Sequence, residues 1–288
     1  MNKLGLGLGG WVLVLAALPL LLFQGCRNSP PAATGVVPPP MSANTISDFP
    51  AGTLNVNPNL TNGKGGFFTA ETNGGTTGQP NEIDGSVNPN ILYPRADTGL
   101  FAVHIYGTQT DTIPTGYPSM ELFCFLRNNP GYRGDPYLYD LSGFTGVQFD
   151  MLVPPDDTNT QRWFEIGISL DTPAGTSPGG TCPAPYGSNC YNYFNLGGPS
   201  GQVVAGTSTS WQHVQAPFSN MIIRFTPGAP NPVGLTTADN LTGSMVVGGQ
   251  TVSFESQALF LLWQFSDGGN PPGSTSYTDY WVDNVEFY

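Results

Sequence analysis

The residues best suited to chemistry sit where strand-like alternation sets rings, carboxylates and amides on one face. Around position 165 the chain reads Trp163-Phe164-Glu165-Ile166-Gly167-Ile168-Ser169-Leu170-Asp171. A period of two sends Phe164, Ile166, Ile168 and Leu170 into a core and leaves Trp163, Glu165, Ser169 and Asp171 opposite. On the strand Leu259 to Phe265, inward Leu261 and Trp263 leave Leu262, Gln264 and the following Ser266 on the other side. Tyr191 and Tyr193 follow a turn-rich loop. Sugars offer apolar C–H faces and hydroxyl edges, which rings, carboxylates and amides can meet. The candidate ligand residues are therefore Trp163, Glu165, Asp171, Tyr191, Tyr193 and Gln264. The competing reading is that such rings only pack a sheet.

These residues do not form a catalytic set. Glycoside hydrolysis needs two carboxylates about 5 to 10 Å apart. Glu165 and Asp171 are six residues apart, roughly 20 Å along an extended strand. No Gly-x-Ser-x-Gly elbow, phosphate-binding loop or dinucleotide fingerprint occurs, so nucleophile and nucleotide chemistry lack their usual frames. His104 and His213 are the only histidines, and neither has zinc spacing to a cysteine.

The elements that must position these side chains are strands. Leu100–Tyr106, Met120–Leu126, Gly146–Val153, Trp163–Leu170, Tyr191–Leu196, Trp211–Phe218, Ala258–Phe265 and Tyr280–Tyr288 are β-rich, several with clean alternation. No segment shows a capped 3.6-residue period. Glycine (38) and proline (28) are abundant, yet 12% aromatic residues can build a core. An all-β domain with long loops fits both facts, and this many strands predict a two-sheet jelly-roll β-sandwich. Asn55–Pro89 and Thr226–Gly249 read as long irregular excursions between strands. Twenty acidic against eight basic residues give a net charge of −12; without a basic cluster, nucleic acid is excluded as a partner.

The first residues set the compartment. Lys3, the apolar run Leu4–Phe23 and a small residue, Gly25, before Cys26 describe an export signal. Leu22-Phe23-Gln24-Gly25-Cys26 resembles the lipobox of bacterial lipoproteins, in which the cysteine carries the lipid. The alternative is an uncleaved membrane helix, since about 20 apolar residues can span a bilayer. The lipoprotein reading divides the chain into a signal peptide (1–25), a Pro-rich tether (26–43) and one sandwich domain with loop insertions (44–288). It predicts an exported protein held to a bacterial membrane at the cell envelope through Cys26. In that oxidising compartment Cys182 and Cys190, which bracket a turn-rich loop, pair as a disulfide. Cys124, inside Leu122-Phe-Cys-Phe-Leu126, reads as a buried free thiol.

Four segments in order carry a family resemblance: Ile46-Ser47-Asp48-Phe49, Tyr139-Asp140-Leu141-Ser142 through Phe149, Ser210-Trp211 through Pro217-Phe218-Ser219, and Trp281-Val282-Asp283-Asn284. Together they resemble the galactose-binding-domain-like jelly rolls, especially family-11 carbohydrate-binding modules. The resemblance implies terminal strands side by side, which brings Asp48 near Asp283. It also implies a structural calcium ion there, held by Asp48, Asp283 and Asp97, because two close carboxylates repel unless a cation intervenes. It further implies a non-catalytic protein that binds a polysaccharide or oligosaccharide. The alternatives are an envelope adhesion or assembly component that binds protein, and a glycoside hydrolase or other polysaccharide-processing enzyme.

Overall fold

Alternation becomes burial in the strand Gly146–Leu152. Val147, Phe149 and Met151 are fully buried, while Gln148, Asp150 and Leu152 are only partly so. The computed structural model describes residues 42–49, 53–60, 66–73, 91–95, 98, 100–110, 119–126, 138–169, 191–196, 204–224, 238–247, 250–266 and 274–288. All of them belong to the unit Val37–Tyr288.

The strands in chain order are β1 (Thr45–Ser47), β2 (Phe67–Asn73), β3 (Leu92–Pro94), β4 (Phe101–Thr110), β5 (Ser119–Phe125), β6 (Gly146–Leu152) and β7 (Gln161–Ser169). There follow β8 (Tyr191–Leu196), β9 (Gln212–Pro217), β10 (Met221–Arg224), β11 (Ser244–Val247), β12 (Gln250–Ser253), β13 (Ala258–Ser266) and β14 (Thr275–Phe287). The first sheet runs β3-β4-β14-β6-β9, with β1 also on β14; the second runs β10-β8-β7-β13-β5-β2. Every pairing is antiparallel, and β11 with β12 makes a separate hairpin. The fold is thus the all-β, two-sheet sandwich that the periodicity predicts. Among the described residues the helical elements are 3₁₀ turns, such as Phe218–Asn220 and Glu255–Gln257.

Aromatic packing joins the two sheets. Phe149 of β6 lies 4.9 Å from Phe164 of β7 and 5.2 Å from Trp263 of β13, ring centre to ring centre. Tyr280 of β14 stacks on Phe265 of β13 at 4.0 Å. Each of these five rings is fully buried, and each stabilises the sandwich by about 1.5–3 kcal/mol through area alone. Cys124 is a buried free thiol, as its apolar neighbours predict.

Two expectations need correction. The stretch read as an irregular excursion over 55–89 contains β2, a full edge strand paired with β5 from Phe67 to Asn73. The stretch read likewise over 226–249 contains β11. Both were obscured because Gly, Asn and Thr around a short strand dilute its alternation. The short strands β3, β10 and β12 also lie outside the strands expected from alternation, since three or four residues are too few to show a period.

A one-residue bulge organises β14. Asp283 pairs with Asp150 and Glu286 with Gln148, so three steps on β14 face two on β6. The extra residue, Asn284, has φ 50°, a left-handed conformation that Asn tolerates. Before the bulge the even-numbered Tyr280 and Val282 face the core; after it the odd-numbered Val285 and Phe287 do. A slip of one residue exchanges the faces of a strand, and the bulge exploits this to keep both halves of β14 in register with the core.

Gly167 is required by close approach, because a Cβ there would collide with the buried Phe260 ring. Gly167→Ala should destabilise the domain by about 1–3 kcal/mol, read as a lower urea midpoint at unchanged m-value. Adding Phe260→Leu should recover part of that loss.

Candidate functional site

Of the expected ligand residues, Trp163, Glu165, Tyr193 and Gln264 share a face, and all but Tyr193 are buried there. On the outer side of the second sheet Trp163 pairs across from Gln264, and Glu165 across from Leu262 and Asn195. Gln264 donates to Glu121 Oε1 at 2.8 Å and to Ser119 Oγ at 3.1 Å. Trp163 is 6% exposed, Gln264 6% and Glu165 1%. Tyr193 is half-buried beside Phe260. Little of this face is open to a large ligand. Asp171 lies outside the described residues, as does the side chain of Tyr191.

The outer side of the first sheet is the open one. Register places Trp281 of β14 opposite His104 of β4, and Asp279 opposite Tyr106. The Trp281 indole stacks on the His104 ring at 3.8 Å and 10°. Tyr93 of β3 meets both edge-on at 6.0 and 5.2 Å. Tyr106 lies 4.7 Å from His104, and Trp211 lies 6.5 Å from Trp281. All five rings are half-buried, each leaving part of its surface to solvent. Polar groups edge the cluster. His104 Nε2 donates to Asp279 Oδ1 at 2.8 Å, and His213 Nδ1 donates to Asp150 Oδ1 at 3.0 Å. Gln148 Nε2 donates to Glu286 Oε1 at 2.6 Å and Gln215 Nε2 to Gln148 Oε1 at 3.1 Å. Sequence reasoning missed this face, although its signal was present. His104 and Tyr106 alternate with Val103 and Ile105, as Asp279 and Trp281 do with Tyr280 and Val282.

Arg95, just after β3, anchors the floor of this face. Its Nη1 donates to Asp283 Oδ2 at 2.6 Å and lies 4.0 Å from Asp150 Oδ2. Its guanidinium carbon sits 4.0 Å from the centre of the Trp211 ring. One cation thus ties β3 to β14, to β6 and to the indole. Asp283 Oδ1 accepts the Asn284 N–H at 2.8 Å, so both its oxygens are engaged.

That geometry bears on the expected calcium. The terminal strands do lie together, with Ser47 opposite Val285. Asp283, however, already holds a guanidinium and does not fit a directly bound divalent ion. Asp48 fits better: its Oδ1 is buried without a partner, and burial raises its carboxyl above the usual range. Phe49, next to it, has φ 46° while wholly buried, a strained backbone costing roughly 1–3 kcal/mol. Asp97 lies outside the described residues, and the described ones contain no group of three or more His, Cys, Asp or Glu placed to hold a metal. Cys26, Cys182 and Cys190 also lie outside the described residues.

Burial pushes the Asp283 carboxyl up to about 6, with Arg95 and the Asn284 N–H opposing and Asp150 adding to the rise. Burial also raises Asp157, against its bonds to the Asp279 N–H, Asn159 and Arg162. A carboxyl whose folded pKa exceeds its unfolded value near 3.9 binds its proton earlier in the native state. Its contribution is therefore present at about pH 4 and lost as pH rises through about 6. The urea midpoint should be higher near pH 4.5 than at pH 7, with Asp283 contributing at most about 3 kcal/mol of the difference in unfolding free energy. Arg95→Met, which strands a buried charge at Asp283, should cost roughly 3–5 kcal/mol at pH 7 and less at pH 4.5.

No family model matches the chain, and no curated protein sequence matches it. Among solved structures the chain is similar to one described as "Structural basis for the promiscuous specificity of the carbohydrate-binding modules from the beta-sandwich super family". The identity is 12%, the TM-score 0.36, and the match covers 85% of this chain and 62% of the other. A crystal structure of "domains CD" of another protein is similar at 11% identity and TM-score 0.34, over 85% of this chain and 66% of that one. The chain thus spans slightly under two thirds of each of these two structures.

Proposed function

We propose that the chain is a non-catalytic lipoprotein that holds a glycan at the bacterial cell envelope through the open face of its first sheet. The observation that carries this reading is the half-buried cluster of Tyr93, His104, Tyr106, Trp211 and Trp281, edged by carboxylates and amides. Sugar C–H faces stack on such rings, and sugar hydroxyls bond to the carboxylates and amides at their edge. Rings already packed against one another lose little freedom on binding. Cys26 would hold the lipid, and the Pro-rich segment would lift this face from the membrane. Such export also supports the Cys182–Cys190 bridge.

The test is a glycan array on the full mature chain. Trp281→Ala should lower retention on the selected glycan by about tenfold or more, with no reducing sugar released. Val246→Ser, at a 69%-exposed position of β11, should retain it as the parent does. Retention unchanged in Trp281→Ala would move the site elsewhere. One observation favours hydrolysis instead: Asp283 and Asp150 are opposed across β14 and β6, with one carboxyl raised. Sugar released by the parent and lost in Asp150→Asn would establish that reading.

Calcium enters the proposal at Asp48 alone, carried by its unpartnered oxygen; there it would supply the charge that a buried carboxylate needs. Metal analysis should find about one calcium per chain, and a chelator should lower Tm in the parent but not in Asp48→Asn. An unchanged parent Tm with no metal bound removes calcium.

A further inference from the structure

We propose that the open face of the first sheet selects saccharides bearing free amines, of the glucosamine-polymer type, over N-acetylated, neutral or acidic ones. The inference rests on the glycan-binding reading and adds a charge to the ligand.

The face has one arginine and several carboxylates. Asp150, Asp279, Asp283 and Glu286 all lie on it. Among the described residues Arg95 is its only Lys or Arg, and that charge is committed to Asp283 at 2.6 Å. A uronate or sulfate is recognised by forked guanidinium or ammonium donors, and this face holds none in reserve. An ammonium meets the opposite situation. Rings attract cations over their faces, and Arg95 already sits over Trp211 in this manner.

One edge of the platform is especially acidic. The turn after β6 brings Asp156 and Asp157 against β14, where the Thr158 N–H donates to the Tyr277 carbonyl at 2.8 Å. Tyr277 stands two residues from Asp279 and four from Trp281 on the same strand face. Its hydroxyl is pushed up by burial and by the charges of Asp279, Asp156 and Asp157. Of these three, Asp157 is held by Arg162 at 2.9 Å and Asp279 by His104 at 2.8 Å. Asp156 is exposed to solvent and is the carboxylate best placed to take an ammonium. The chain's net charge of −12 adds a long-range field of the same sign.

The probes are tetramers of glucosamine, N-acetylglucosamine, glucose and galacturonate, titrated into the full mature chain at about pH 6.5, above the Asp283 value of about 6, and at low salt. The glucosamine tetramer should bind about fivefold or more tighter than the N-acetylated one. That advantage should shrink in about 1 M salt and fall by at least about threefold in Asp156→Asn. The galacturonate tetramer should bind weakest. If the glucose or N-acetylated tetramer binds as tightly as the amine, the charge inference is wrong and the glycan reading stands. The same holds if galacturonate binds tighter. If none of the four binds, both fall.

Discussion

The fold and the site depend on the same constraint, the two-residue period of β14. This strand runs through the first sheet with β6 on one side and, on the other, β4 along Thr275–Val282 and then β1 at Val285 and Glu286. Its inward residues Tyr280, Val282, Val285 and Phe287 are fully buried. Its outward residues Tyr277, Asp279, Trp281 and Asp283 make the spine of the open face. Because successive side chains point to opposite sides, packing Tyr280 on Phe265 also aims Trp281 outward. Trp281, His104, Tyr106 and Tyr93 are thereby held on paired strands rather than loops, which is the preorganisation that the proposed binding would use.

The bulge at Asn284 and the charge of Arg95 are consequences of asking so much of one strand. A regular β14 could not place both Val282 and Val285 in the core, since they are an odd number of residues apart. The left-handed Asn284 solves this, and its side chain donates to Asp150 Oδ2 at 2.7 Å. The bulge also leaves Asp283 2% exposed, where an isolated carboxylate is costly. Arg95 offsets that cost and reaches Trp211 as well. The cation that two neighbouring carboxylates call for is thus supplied, at Asp283, by the chain itself.

Much of the fold was legible in the sequence. Alternation in Gly146–Val153 and Trp163–Leu170 identified strands and the inward set Phe164, Ile166 and Ile168, because period two is a local property. The Asp48-Phe49 and Asp283-Asn284 segments indicated that the two ends of the domain lie together. The edge strand Phe67–Asn73 was not legible, since an edge strand surrounded by Gly and Asn has weak alternation and is defined by its partner. The site was legible only in composition. Trp163 and Trp281 both sit outward on alternating strands beside a carboxylate two residues away, Glu165 and Asp279. Nothing local separates them.

By itself the sequence determined which residues alternate, hence the all-β class, the inward set and the aromatic, acidic character of the outward faces. The pattern on which the export proposal rests, a charge, an apolar run and Cys26, is likewise read along the chain. Only the tertiary structure decided which outward face is open. Trp281 meets His104 across 177 positions because β14 pairs with β4 in one register. Trp163 is enclosed while Trp281 remains partly exposed. Solvent access depends on what packs over a face, and strand pairing depends on contacts far apart in the chain, so neither is encoded in a local period.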